Sequence, residues 1–170
     1  MEKLPEFLWK TYEDISGWIK FSDTKAAAIL GSNGVIIAVV ISKIIDNSEF
    51  LLNHRILLSS LMVGFLFGFS SIYCAIRCLS PSFDPGKTRS LIYFGHIAKD
   101  YNNHYIYKYE VERAFRNDSE IINQIAYQVW ANSNVAQKKY INILWASRFF
   151  LLLIYSFILA GIELAYLLLI

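Results

Sequence analysis

The sequence predicts an all-α membrane protein, with three transmembrane helices and a small helical cytoplasmic region continuous with the third span. Two observations predict it. The apolar residues gather in three runs: Ala26 to Ser42 and Ile56 to Ile76 hold no charged side chain, and Phe149 to Ile170 holds one, Glu163. A helix needs about 20 residues at ~1.5 Å each to cross the hydrocarbon core, which is the length of these runs. The second observation is that no proline or glycine interrupts the chain from Asn117 to Gly161, so one helix is expected to begin near Ser119 and run through the third span. About 50 residues at ~1.5 Å each would make a rod of roughly 75 Å, able to carry a tilt or rotation from its polar half to its apolar half. Among the 170 residues, 55 % are hydrophobic and 16 % aromatic, above the soluble average.

The expected organisation is one domain over residues 1–170. It comprises a cytoplasmic amphipathic helix (1–25), the first span (26–45), the second (56–76), a cytoplasmic helical region (77–148) and the third span (149–170). In the first segment Leu8, Tyr12, Ile15 and Ile19 fall at helical spacing beside Trp9 and Trp18, which suits a helix approaching a membrane interface. A cleaved signal peptide does not fit, because mixed polar residues precede the first run and no small-residue cleavage site follows it. At the boundary stand Asp23, Thr24 and Lys25. Their ordinary reading is an interfacial set, with Lys25 snorkelling, Asp23 capping or pairing and Thr24 bonded to its own backbone. The functional reading is a polar cluster on the rim of the first span, able to hold a phosphate or lock a closed bundle.

In the second span, Gly64 and Gly68 form a GxxxG pair, and with Gly31, Gly34 and Ala38 of the first span they permit close helix contact, a support for homo-oligomerisation. Cys74 and Cys78 lie one helical turn apart, poor geometry for a disulfide, and read as packing or reduced thiols. The Ser80–Gly86 stretch, with prolines at 81 and 85, should end the helix. Beyond it, Ser90 to Tyr101 is apolar and aromatic around Gly95 and His96. Asn102 to Arg116 reads as a short polar helix with Tyr105, Tyr109 and Phe115 as partial core contacts. Asn117 to Glu120 reads as a cap for the long helix, along which Ile121, Ile125, Val129, Val135, Ile141 and Leu144 keep roughly helical spacing.

Lysines and arginines near the span ends (Lys20, Lys25, Arg77, Lys138, Lys139, Arg148) agree on one topology. The N-terminal segment and the middle region are expected in the cytoplasm, and the first connection and the C-terminus outside. A net charge of +2 is too small to imply nucleic-acid binding. His54, His96 and His104 are not spaced as metal ligands, and neither a GxSxG nor a Walker pattern occurs, so catalysis and a metal site are not expected. Asn132, Ser133 and Asn134 with Lys138 and Lys139 make a second polar cluster just before the third span. They are either topology determinants or groups that face Asp23 and Lys25 across the bundle. Glu163 within a span costs at least about 2.5 kcal/mol and marks a functional candidate. Lys43, at a similar depth on a span running the same way, is its expected ion-pair partner within one protomer or between two, unless each snorkels separately.

Three runs, in this order and at these distances from the spans, carry a resemblance: FSDTKAAAILGSNG (Phe21 to Gly34), SLIYFGHIAK (Ser90 to Lys99) and NSNVAQKKYINIL (Asn132 to Leu144). They resemble the Pycsar transmembrane effector family, the PycTM type, whose members carry similar Phe-x-Asp-Thr-Lys-Ala and Phe-Gly-x-Ile-Ala signatures. The resemblance implies bacterial antiphage defence by abortive infection. A neighbouring pyrimidine nucleotide cyclase makes a cyclic mononucleotide such as cUMP or cCMP, and the effector responds by impairing the inner membrane. It implies a ligand rather than a cofactor, the lipid bilayer as partner, and ligand or gating roles for Asp23, Thr24, Lys25, His96, Asn132, Ser133, Lys138 and Lys139. The chain shows no cyclic-nucleotide-binding β-roll, so recognition would fall to the membrane-proximal helices. Two other readings stay open: a constitutive membrane anchor that recruits a partner, and a small ion channel or transporter with Glu163 in its pathway.

Overall fold

The computed structural model describes residues 3–80 and 90–169, which are mostly helical and hold no strand. Helix α1 spans Lys3–Asp46, α2 Ser48–Asn53, α3 Arg55–Leu79, α4 Phe94–Asp100, α5 His104–Phe115 and α6 Asp118–Leu169. The amphipathic segment and the first span are thus one helix of 44 residues rather than two. Nothing in it forces a break: Pro5 sits in the first turn, where no backbone donor is needed, and Gly17 costs only about 1 kcal/mol of helix propensity. Helix α3 stops at Ser80, whose backbone is extended and whose Oγ donates to Ile76 O at 2.9 Å. The remainder of the expected proline turn, residues 81–86, lies outside the described residues.

Helix α6 is unbroken over 52 residues; it holds no proline, and its one glycine, Gly161, does not interrupt it. Asn117 Oδ1 accepts from the Ser119 backbone N–H at 3.2 Å, and Asp118 and Glu120 place negative charge in the first turn, where the helix dipole favours it. Helix α5 starts in the same way, with Asn103 Oδ1 accepting from Tyr105 N at 2.9 Å. Three helices, α1, α3 and α6, are long and apolar enough to cross a membrane.

The chain gathers into two compact units, one of Met1–Phe21 with Pro81–Lys138 and one of Ser22–Ser80 with Lys139–Ile170. We call the second the span unit and the first the mixed unit. In the span unit α1 and α6 run parallel and α3 antiparallel. Their buried positions recur at three, four or seven residues, the spacings of one helix face: Ser22, Ala26, Ile29, Asn33 and Ile37 on α1, Gly64, Gly68, Ser71, Ala75 and Cys78 on α3, and Lys139, Ile143, Ala146, Leu153 and Ala160 on α6. Much of that seam is small, which lets the backbones approach. Gly64 and Gly68 are used here, inside one chain. A methyl group at Gly68 would lie 2.6 Å from Leu153 Cδ1 and 3.1 Å from Ile37 Cδ1, and one at Gly64 would overlap the Phe157 ring. The GxxxG pair therefore seats α6 and α1 within one chain. Gly31 and Gly34 face outward, with nothing within 4 Å of an added methyl. Val35, Leu66, Phe69, Leu159 and Ile162 are also exposed, as lipid-facing side chains should be. Cys74 and Cys78 are free thiols.

In the mixed unit the Leu8, Tyr12, Ile15 and Ile19 stripe of α1 is half-buried, as its spacing predicts. The expected contacts of α5 are corrected. Tyr105, Tyr109 and Phe115 are exposed, and Tyr107, Val111 and Ala114 turn inward. Positions 105 and 109 lie together on one face, nearly opposite 107, 111 and 114, so only one of these sets can be inside.

Candidate functional site

Lys139 stands one turn before Ile143 on the inward face of α6, so the packing that buries Ile143 and Ala146 draws the lysine in as well; it is 7 % exposed. A buried ammonium must find acceptors, because its desolvation is otherwise uncompensated. Its Nζ donates to Asp23 Oδ1 on α1 at 2.5 Å and to Cys78 O in the last turn of α3 at 2.8 Å. The carbonyl end of a helix favours a cation, so α3 contributes its dipole along with the hydrogen bond. Beside this, Cys78 Sγ lies 3.7 Å from Ser22 O as a weak donor. One side chain thus ties three helices at the end of the span unit.

A second tie lies deeper. Asn33 and Ser71 are fully buried, on α1 and α3. Ser71 Oγ donates its single hydrogen to Ala146 O of α6 at 2.8 Å, so towards Asn33 it can only accept. That sets the orientation of the Asn33 amide: Nδ2 donates to Ser71 Oγ at 3.0 Å and to Ile29 O at 2.9 Å, and Oδ1 is left without a partner. Ten residues of α1 separate Asn33 from Asp23, about 15 Å by helix rise. Two polar ties at different depths therefore hold the same three helices together through an otherwise apolar seam.

The other expected site residues fall as follows. Thr24 and Lys25 are exposed on α1. Asn132, Ser133 and Lys138 belong to the mixed unit on α6, where Asn132 is half-buried, Lys138 is exposed and Ser133 Oγ donates to Val129 O at 2.7 Å. His96 is buried in the same unit. Its Nδ1 accepts from Ser90 N at 3.1 Å, which places the ring proton on Nε2. Ser90 is the hub there, its Oγ accepting from Gln128 Nε2 at 2.8 Å and from the backbone N–H groups of Ile92 and Tyr93. Lys43 Nζ lies 3.7 Å from Asp46 Oδ2, three residues along its own helix. Among the described residues no ion pair joins Lys43 to Glu163, which is half-buried. Nor do three His, Cys, Asp or Glu side chains gather there as a metal-ligand set.

Asn33, Ser71, Ser90 and Gln128 were not singled out from the sequence as site residues. For Asn33 a signal existed, a side-chain amide inside an uncharged run, seven residues after Ala26 and four after Ile29 on the buried face. Ser71 gave none, since serines are frequent in that run.

These features define a class: a helical membrane protein whose described residues include three helices long and apolar enough to cross a membrane, with polar ties across them. Within that class, the chain belongs to the family of the PycTM Pycsar effector protein domain, whose model matches residues 7–167. No curated protein and no solved structure matches it. It is a Pycsar effector with membrane-spanning helices.

Proposed function

We propose that the protein is a signal-gated effector in the bacterial inner membrane. A pyrimidine cyclic mononucleotide from a neighbouring cyclase opens its helix bundle, and the membrane damage kills or arrests the infected cell. It catalyses nothing itself, and its N-terminus lies in the cytoplasm, where the messenger is made. The observation that carries this reading is the family match along residues 7–167, together with three membrane-crossing helices. The Asp23–Lys139 tie supplies a mechanism. An anionic phosphate competes with the Asp23 carboxylate for the Lys139 ammonium, with Thr24 and Lys25 of the same unit as further candidate contacts; His96, Asn132, Ser133 and Lys138 are candidates within the mixed unit. A ligand opens a bundle only through its differential affinity for the open state, and a swing from 1:99 to 99:1 takes about 5.5 kcal/mol. Two or three charge-assisted contacts per ligand supply this when several protomers respond together. The outward-facing Gly31 and Gly34 offer a surface for such a homo-oligomer.

The test is reconstitution into dye-loaded liposomes with cyclic nucleotides added one at a time. Release that requires cUMP or cCMP, and is absent with purine cyclic nucleotides, is the expected result. Steady release without any nucleotide would replace this reading with a constitutive channel, and no release under any condition would replace it with a membrane anchor.

A further inference from the structure

The span unit holds a cavity of about 450 Å³ that neither polar tie touches. It lies between α1, α3 and α6, beside α2. Its walls include Val39 and Val40 of α1, Leu61 of α3 and Phe157 of α6. At Gly161, α6 presents no side chain to this space, and nothing lies within 4 Å of an added methyl there, whereas its neighbour Ala160 packs with Leu51 and Leu57. Lys43 and Asn47 line it as well and are its polar members.

The depth of this cavity restricts what fills it. Lys43 is 17 residues beyond Ala26, about 25 Å by helix rise, close to the far edge of a hydrocarbon core of roughly 30 Å. Val39, Leu61 and Phe157 therefore lie within the hydrocarbon, and Lys43 and Asn47 lie near headgroup level. Water does not settle in an apolar space without polar partners, and an empty gap forfeits dispersion contacts along its whole lining. The surrounding solvent is lipid, and a single acyl chain fits a slot of this volume. At the polar end the Lys43 side chain is 75 % exposed and held only by a 3.7 Å contact to Asp46, itself 58 % exposed, so the ammonium remains open to a second anion.

We propose that this cavity is a phospholipid-binding site: one acyl chain lies between α1, α3 and α6, and the lipid phosphate is held by the Lys43 ammonium. The lipid is then a structural member of the bundle, filling the space left open beside Gly161. Lys43 has its anionic partner in the headgroup region rather than in Glu163.

The experiment uses the full chain, purified from nanodiscs of phosphatidylglycerol and phosphatidylethanolamine into detergent, with retained lipid counted by native mass spectrometry. Wild type is expected to keep one phospholipid per protomer. Gly161→Leu adds a side chain where nothing lies within 4 Å of the new methyl group, so it fills the slot without a backbone clash. It is expected to retain roughly tenfold less lipid, the scale set by displacing two or more chain methylenes. Lys43→Gln is expected to lower retention about threefold and to erase the preference for phospholipid over diacylglycerol. Wild type without lipid, or Gly161→Leu with undiminished lipid, overturns the proposal. So does a disulfide between two chains carrying Gly161→Cys in place of lipid, because a second copy would then occupy the slot.

Discussion

Lys139 and Asp23 form one ion pair but do not sit in equal environments. The lysine side chain is 9 % exposed and the aspartate 38 %. Removing the aspartate strands a buried cation on a single carbonyl, whereas removing the lysine leaves a carboxylate that water already reaches. Asp23→Ala is therefore expected to destabilise the fold by about 2–3 kcal/mol, and Lys139→Met by about half as much, below the range of a fully buried pair because Asp23 is partly solvated. Thermal unfolding in detergent ranks the two, and the reverse order would show that the tie is not governed by the lysine's desolvation. In liposomes both variants should leak before any nucleotide is added. Asn33 differs, because its unpartnered Oδ1 is a standing cost of about 1–3 kcal/mol. Asn33→Leu has similar volume and removes that acceptor, so it is expected to raise the melting temperature and to blunt nucleotide-triggered release. A lower melting temperature would mean that the bond to Ser71 outweighs the orphaned acceptor.

At the scale of the helix, the two glycine pairs separate packing inside the chain from surface outside it. Gly64→Val or Gly68→Val forces Phe157, Leu153 or Ile37 out of place and is expected to cost about 1–3 kcal/mol, an overpacking penalty. Gly31→Ala and Gly34→Ala meet no atom of their own chain and should leave the single-chain fold intact, with a gain of up to about 1 kcal/mol from helix propensity. Melting curves of the isolated protein distinguish the pairs. Equal losses at all four positions would mean that the outward glycines are also packed. The sequence showed both pairs but not their directions, because a GxxxG spacing says only that a backbone can be approached. Similarly, Tyr105, Tyr109 and Phe115 were legible as aromatics of a short helix. Which side of α5 faces inward is decided by its packing, with Ala114 fully buried and Tyr107 Oη donating to Leu91 O at 2.9 Å.

For the whole molecule, lysine and arginine placement predicts a topology that labelling can read. In a background without reactive cysteines, Asn102→Cys should react with a membrane-impermeant maleimide only after the cytoplasmic face is opened, and Asn47→Cys should react in intact spheroplasts. Labelling of both from the same side would remove one crossing from the topology. The sequence by itself determined the number of apolar helices, the unbroken course of α6 and the family. Each of these rests on local rules: hydrocarbon thickness sets the length of a run, proline and glycine set helix breaks, and motif order carries the kinship. Only the tertiary structure decided which polar residues meet. Lys138 and Lys139 are neighbours of the same type, but the 100° between successive helical positions leaves the first exposed and buries the second against Asp23. Asn33 became part of a tie because its inward phase coincides with Ser71 on an antiparallel helix and with the Ala146 carbonyl on a parallel one. Such coincidences depend on the crossing and register of three helices, which packing of small residues along the seam sets and which one-dimensional spacing does not encode.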